Sequence, residues 1–578
     1  MFSQQSDTNA EQIDPDEIVN HFQGLDVSDG KGDNHLTPYS TPYSSRRPIP
    51  KFEIPKDGTP GETAYAMIKD ELDLDGRPNL NLASFVDTYL EENAQKLMVE
   101  NLSKNLADND EYPAMLSMSE RCVSILANLW SVQKGEKAIG TATTGSSEAI
   151  HLGGLAMKRR WQEHRRAAGK DTLSPNIVMG SNAQVALLKF ARYFECEARV
   201  LPVSAKSKFR LDPELVKESI DENTIGVFVI LGSTYTGHYE PVEEISRILD
   251  EYQERTGVDI PIHVDAASGG FVAPFTYAGA GGPKWNFQLP RVKSINASGH
   301  KYGLVTPGVG WIIWRDASYL PSHLIFELHY LGGTEQSFTL NFSRPGAQVI
   351  VQYYNLIHLG FAGYQEIMEN CLSNARLLSK SLEATGWYVC LSDIHRPAPL
   401  SAAKQVVEGV AGKVREVVTS TAGSIRGQRD NEDQKDAQPS SETSAAYIAG
   451  LPVVSFKFTD EFKREYPHIK QETVSLLLRA RQWIIPNYAL PPNEEKTEIL
   501  RVVIRESMSI DLLDRLVNDI VQVTETLMQN DEVDLSVLQK QQHRRRPVRK
   551  GGKEKHDKSL QLREGVKRMA DGIHRSVC

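Results

Sequence analysis

No run of about eighteen apolar residues occurs anywhere in the 578-residue sequence, so no membrane-spanning helix is expected. The five cysteines (Cys122, Cys196, Cys371, Cys390 and Cys578) are scattered, without a CxxC pair or a Cys/His spacing suited to zinc or to a disulfide framework. No metal site is expected. The first residues lack the apolar stretch of a secretory signal, and Asp7, Glu11, Asp14, Asp16 and Glu17 argue against a mitochondrial transit peptide. A reducing, cytoplasmic setting is the expectation. A general excess of positive charge is missing too, since the net charge is −10. It is unevenly spread: between Lys540 and Cys578, 13 Lys and Arg face 4 Asp and Glu, a charge of +9 that leaves −19 on the remainder. An acidic body excludes general nucleic-acid binding by the fold and makes the basic tail a separate question.

What is present is more than one ordinary core can hold, so several domains are expected. Residues 1–79 read as a polar extension, with the echo Thr37-Pro38-Tyr39 and Thr41-Pro42-Tyr43, followed by a helical segment from Gly61 to Leu72. Residues 80–370 read as a large domain. A helix is expected from Glu91 to Leu106, another from Met115 to Val132, and a long one after the small-residue turn Thr143–Glu148. Short apolar strands over 177–179, 225–231, 262–265, 292–296 and 309–314 lie between helices, the pattern of a mostly parallel sheet covered on both faces. Residues 371–530 read as a smaller α+β C-terminal domain, interrupted at 397–446 by an insert. The insert opens with an apolar helical face through Ala403, Val406, Val407, Val410 and Val414 and closes with the charged run 426–435. Residues 531–578 form the basic tail.

Ligands in such sheets sit at the carboxyl ends of the strands, and chemistry-bearing residues fall there. Ile262-His263-Val264-Asp265 ends in a carboxylate, and Val292–Ala297 runs into Ser298-Gly299-His300-Lys301. A lysine at the mouth of a buried sheet, held away from water, offers an amine for imine chemistry. An Asp at a neighbouring strand end can keep a pyridine nitrogen protonated so that the ring accepts electrons. Gly145-Ser146-Ser147-Glu148 before a helix supplies N–H groups and hydroxyls for a phosphate. Taken singly, the serine is an N-cap, the Asp a strand-end carboxylate and the lysine a solvated charge. Taken together, they match pyridoxal 5'-phosphate.

The sequence resembles the glutamate decarboxylases among the pyridoxal-phosphate-dependent decarboxylases. The motifs that carry the resemblance run from about residue 55 to 520. They include Glu111-Tyr112-Pro113, Gly145-Ser146-Ser147-Glu148-Ala149, Lys189-Phe190-Ala191-Arg192-Tyr193, Thr234-Tyr235-Thr236-Gly237, His263-Val264-Asp265-Ala266-Ala267-Ser268-Gly269-Gly270-Phe271, Ser298-Gly299-His300-Lys301 and Asn341-Phe342-Ser343-Arg344-Pro345. The resemblance implies an α/β fold of the aspartate aminotransferase-like type, fold type I, and decarboxylation of L-glutamate to γ-aminobutyrate and CO2 through an external aldimine and a quinonoid. It implies Lys301 as the Schiff-base lysine, with His300 beside it, and Asp265 as partner of the pyridine nitrogen. Ser146 and Ser147 would be phosphate ligands, and Ser343 a further one reaching in from a neighbouring subunit. Gln184 would cover one face of the ring, and Thr234 and Ala267 would line the pocket. Ser84-Phe85 and Asp108 would receive the substrate's side-chain carboxylate, and Arg501 its α-carboxylate end. The bacterial pattern has Thr where Ser84 stands, so the hydroxyl survives and a methyl is lost. The 397–446 insert departs from the pattern.

Alternatives remain at this level. Another α-amino-acid decarboxylase or lyase uses the same machinery, and a non-catalytic binding or scaffold paralogue belongs to a different class. Polar Ser84 and Asp108 argue against an aromatic substrate, and intact Lys301 and Asp265 against a scaffold. Asp108 alone would cap a helix, and Arg501 alone would be a satisfied structural arginine. A shared pocket implies a homodimer or larger homo-oligomer. In the tail, Leu562, Val566, Met569, Ile573 and Val577 recur at helical spacing among Arg563, Lys567, Arg568 and Arg575. Such a helix suits calmodulin or an anionic partner. A solvated basic extension resting on the acidic body is the simpler reading.

Overall fold

The computed structural model describes residues 54, 56, 58–108, 110–276, 283–328, 335–398 and 444–529. The expected N-terminal extension over 1–50, the helix and charged run of the insert and the basic tail all lie outside the described residues.

Two units are separated at residues 77 and 78. In the first, helix α1 (Gly61–Leu72) forms over the expected span, with Glu62 in its first turn and Lys69 in its last, each complementing the helix dipole.

The second unit is built on a seven-stranded sheet. Its strands are β1 (Ile139–Thr143), β2 (Asn176–Gly180), β3 (Glu197–Leu201), β4 (Thr224–Ile230), β5 (Ile262–Asp265), β6 (Val292–Ser298) and β7 (Gly310–Trp314). Their spatial order is β1-β7-β6-β5-β4-β2-β3, and only β7 runs antiparallel to its neighbours. Strands β2, β4, β5 and β7 are buried throughout, which is why they read as apolar runs rather than alternating ones. Helix α2 (Glu92–Glu100) precedes the sheet, and α3 (Pro113–Leu129) leads into it. Two helices, α4 (Ser146–Ala167) and α5 (Val185–Tyr193), cover one face over Ile177, Met179, Phe228, Ile312 and Trp314. The other face, with Val178, Val227, Val264, Ile295 and Trp311, packs under Leu126 of α3 and residues of α6 (Val242–Thr256).

Helix α7 (Ala347–Ala384) is a pair of helices meeting at Gly360, whose φ of 59° is open to glycine at little cost. It runs through residue 370 and leads into a four-stranded antiparallel sheet of β8 (Tyr388–Cys390), β9 (Val453–Phe458), β10 (Asn487–Ala489) and β11 (Glu498–Val503), in the order β8-β9-β11-β10. The last helix, α8 (Ile510–Gln529), buries Leu513, Leu516, Ile520, Val523 and Leu527 against this sheet's core.

One expectation fails. The helix anticipated from Glu91 to Leu106 ends at Glu100, because the Asn101 side chain donates to the Leu97 carbonyl (2.7 Å) and its N–H to Met98. The apolar spacing continues through Leu102 and Leu106, but Leu102 is exposed in the turn that follows.

A close approach fixes the turn between β1 and α4. A Cβ placed on Gly310, at the start of β7, would lie 2.5 Å from the Gly145 carbonyl carbon and 2.8 Å from the Ser146 nitrogen. Gly310→Ala should therefore cost about 1–3 kcal/mol by overpacking, read as a lowered thermal midpoint. An unchanged midpoint would mean that the turn does not depend on this contact.

Candidate active site

The carboxyl ends of β4, β5 and β6 and the N-terminus of α4 enclose a cavity of about 250 Å³. It is lined by Ser146, Ser147, Gln184, Thr234, Asp265, Ala267, His300 and Lys301, together with Thr144, Asn182, Ser268 and Ser298. Eight of the residues singled out in the sequence thus converge here from five separate stretches.

Lys301 lies in the turn after β6. Its Nζ donates to Ser268 Oγ (3.3 Å) and stands 5.3 Å from the Phe85 ring centroid. Asp265 closes β5 and is 4% exposed. Its Oδ1 accepts from Asn296 Nδ2 (3.0 Å) and from the Ala267 N–H (3.1 Å). At the opposite side, Ser146 Oγ and Ser298 Oγ are 2.7 Å apart, and His300 sits beside Gly145. His300 Nδ1 is 3.1 Å from the Val309 carbonyl, an acceptor, so this nitrogen carries the proton. Burial, reinforced by the Lys301 charge, holds His300 down at about 4, so the ring is neutral. Gln184 is the N-cap of α5, its Oε1 accepting the Ala186 N–H (2.6 Å).

A second layer approaches from the small sheet. Residues 80–82 run alongside Ile484 and β11, with Leu82 N–H on the Ile484 carbonyl and Val503 N–H on Leu82. Arg505 then holds the carbonyls of Pro78, Asn81 and Val86. The chain so directed delivers Ser84 and Phe85 to the mouth of the lysine turn, where the Asp87 N–H meets the His300 carbonyl (3.0 Å). Phe85 is 1% exposed and lies between two cations, Lys301 and Arg501, the latter 5.2 Å from its centroid. Arg501 is 2% exposed. It donates to the Thr234 carbonyl (3.0 Å) and the Ala83 carbonyl, and also faces Tyr488. Among the described residues no carboxylate pairs with it.

Of the residues singled out in the sequence, Ser84, Phe85 and Arg501 stand outside this cavity's lining, in the layer just described, and Asp108 and Ser343 are not brought to it within the chain. Asp108 accepts from Asn105 Nδ2 (3.0 Å), and the same nitrogen reaches Ser343 Oγ (3.5 Å). Asp108 and Ser343 therefore share one patch centred on Asn105. The loop carrying Ser343 is tied to the turn between β1 and α4 by buried Glu148, which accepts from the N–H groups of Thr144, Leu340 and Asn341.

Sequence reasoning missed Ser268, Glu148 and Asn296 as parts of the site. Ser268 and Glu148 stood inside quoted motifs, but only non-local contacts reveal their partners. Asn296, like Ser294, is polar within a buried strand, a signal that was available.

A family model for the pyridoxal-dependent decarboxylase conserved domain matches residues 55–398. The chain belongs to the pyridoxal-dependent decarboxylases. Among relatives, it is 47% identical over 501 residues to a glutamate decarboxylase of Saccharomyces cerevisiae, covering 85% of this chain and 81% of that one. It is 43% identical to a glutamate decarboxylase of Petunia hybrida over 484 residues, 83% of this chain and 84% of the relative. The solved glutamate decarboxylase of Lactobacillus brevis is 35% identical, with a TM-score of 0.71 over 84% of this chain and 97% of that one. A Burkholderia pseudomallei sphingosine-1-phosphate lyase, at 19% identity and a TM-score of 0.61, shares the fold. The α/β architecture expected of fold type I is the one observed, large mostly parallel sheet and smaller α+β domain included.

A carboxyl pair braces the approach to this family's lysine turn. Asp87 faces Glu506, which also accepts from Thr88 Oγ1 (3.2 Å). Burial first, then the Glu506 carboxylate, pushes Asp87 up to about 9. The folded protein thus holds this proton more tightly than the unfolded chain does. The stabilising contribution is fully present below the ordinary value of 3.8 and is lost as pH rises through about 9. Asp87→Asn is neutral at every pH. The wild-type thermal midpoint should therefore decline relative to that variant between about pH 5 and pH 9. Parallel melting curves would contradict this.

Proposed function

We propose that the chain decarboxylates L-glutamate to γ-aminobutyrate and CO2 with pyridoxal 5'-phosphate. The observation that carries the reading is the convergence of Lys301 and Asp265 on one cavity, with Arg501 on the Phe85 ring that Lys301 also faces. The donor set fits the cofactor at both ends: an acceptor-only carboxylate opposite a helix N-terminus with two hydroxyls, and an amine between them. When bound, the cofactor supplies a carbonyl that condenses with amines and a protonated ring that accepts an electron pair.

The chain's own residues do the rest. Ser146, Ser147 and the N–H groups of α4 hold the phosphate dianion. Asp265 would accept a hydrogen bond from the protonated ring nitrogen and stabilise its charge, Gln184 would cover one face, and Thr234 and Ala267 would line the ring. Lys301 would hold the cofactor through its side-chain amine. Arg501 binds the carboxylate at the α end. A buried cation without a carboxylate partner costs several kcal/mol, and an anionic substrate removes that penalty. As the bond from Cα to the carboxylate breaks, CO2 leaves and a proton must return to Cα. Neutral His300 has its one proton committed to Val309, which favours Lys301 as the donor.

Ser84 and Phe85 receive the distal end of the substrate. Asp108 and Ser343, outside this chain's own cavity, suit the cavity of a second copy, so the active form is a homodimer or larger homo-oligomer. The functional division runs as 1–79, 80–370, 371–530 and 531–578. Four buried free cysteines suit a reducing cytoplasm, and no described helix is long and apolar enough to cross a membrane. The residue pattern of the basic tail supports calmodulin or another anionic partner, or a solvated extension.

Lys301→Ala should abolish turnover while leaving the fold intact, and Asp108→Ala should raise the KM for glutamate and erode its preference over other amino acids. If sites are shared, mixing and reassembling the two variants should regain wild-type sites, because one copy supplies Lys301 and the other Asp108. No recovery in a verified mixed oligomer would confine Asp108 to its bond with Asn105. Wild-type activity in Lys301→Ala would overturn the assignment of the lysine.

A further inference from the structure

Beneath Asp265, buried polar groups continue along the same face of the sheet. Side chains two apart on a strand share a face, so His263 lies under Asp265 on β5, and Ser294 under Asn296 on β6. An irregularity in the pairing sets the strands in step: Ile262 pairs with Val292, but the next residue, His263, pairs with Ser294, and Asp265 with Asn296. Lys293 is passed over. Without that irregularity, Asn296 would not stand opposite Asp265.

The four side chains are bonded in sequence. Ser294 Oγ lies 2.7 Å from His263 Nδ1, His263 Nε2 lies 2.7 Å from Asn296 Oδ1, and Asn296 Nδ2 lies 3.0 Å from Asp265 Oδ1. Their directions are determined. A carboxylate only accepts, so the Asn296 amide must point its NH2 at Asp265 and its oxygen at His263. That oxygen needs a donor, so His263 carries its proton on Nε2, and Nδ1 accepts from the Ser294 hydroxyl. Complete burial holds His263 down at about 4, so one proton is all the ring has. The ring is wedged in place. A Cβ on Gly153 of α4 would lie 2.5 Å from Nδ1, and Phe228 meets the ring edge to face, at 5.4 Å between centroids.

We propose that Ser294, His263 and Asn296 form a positioning relay that fixes the Asp265 carboxylate in one orientation, every hydrogen bond donating towards it. With Oδ1 taken by Asn296 and the Ala267 N–H, Oδ2 is the oxygen presented to the cavity. The inference rests on reading the cavity as the pyridoxal phosphate site, since it assigns that oxygen to the ring nitrogen. Three residues that touch neither cofactor nor substrate thereby control how well the electron sink is held.

The test compares wild type with Asn296→Leu, His263→Leu and His263→Gln. Each is stripped of cofactor and titrated with pyridoxal 5'-phosphate, following protein fluorescence; kcat and KM for glutamate are then measured on the reloaded protein. A hydrogen bond to a charged group controls roughly a tenfold or larger change. Asn296→Leu and His263→Leu should weaken cofactor binding and lower kcat by about tenfold or more, with KM nearly unchanged. His263→Gln, whose amide can still donate to Asn296, should recover most of both. Wild-type cofactor affinity and kcat in Asn296→Leu would overturn the relay, as would equal impairment of His263→Gln and His263→Leu in folded protein. Should a leucine variant fail to fold, Asn296→Ser, smaller and too short to bridge, carries the same expectation and the same contradiction. A wild-type protein that takes up no pyridoxal phosphate would sink the cofactor reading itself, an outcome separate from failure of the relay.

Discussion

The pairing of β5 with β6 is the constraint on which the rest depends. Both strands run in the same direction and are buried, so their carboxyl ends open together at one edge of the sheet. Asp265 is the last residue of one, and Lys301 follows the other by a three-residue turn. The separation between Asp265 and Lys301 is thus set largely by strand pairing. A slip of one residue would turn Asn296 to the opposite face and leave the Asp265 carboxylate without its side-chain donor.

Around that pairing, other elements act as braces at different distances. Gly310 lets the turn between β1 and α4 settle against β7. Glu148 fastens the loop of Ser343 to that turn. Arg505 and the Asp87–Glu506 pair hold the segment carrying Ser84 and Phe85 against the lysine turn. Ionisable side chains, Glu148, Arg505 and the Asp87–Glu506 pair, recur among these braces. In a core a charge is costly unless paired, and here most such groups have partners within the chain. Arg501 is held by backbone carbonyls and aromatic faces, with no carboxylate pairing it among the described residues.

Much of this was legible in the sequence. The apolar runs before Asp265 and Lys301 could hardly be other than buried strands, and small residues after each marked the places where the chain opens to a ligand. Ser146 and Ser147 were legible because a small-residue turn before an amphipathic run announces a helix N-terminus. The end of α2 was not, since apolar spacing persists through Leu106 while a side chain–backbone bond from Asn101 ends the helix. Nor was the setting of Arg501, whose partners Thr234 and Ala83 lie 267 and 418 residues away. Asp108 and Ser343 were named for the site by resemblance, yet their meeting at Asn105 emerges only when the chain is folded. The relay under Asp265 needed the register, because polar residues in a buried strand reveal their partners only through the strand alongside.

The central claim is that this cavity removes CO2 from glutamate in preference to other amino acids. The most direct measurement is product analysis of the purified protein, loaded with pyridoxal 5'-phosphate and offered L-glutamate, L-aspartate and an aromatic amino acid together. The account predicts γ-aminobutyrate and CO2 in equal amounts, with little product from the other two. Preferential turnover of the aromatic amino acid, or loss of glutamate without CO2, would contradict it.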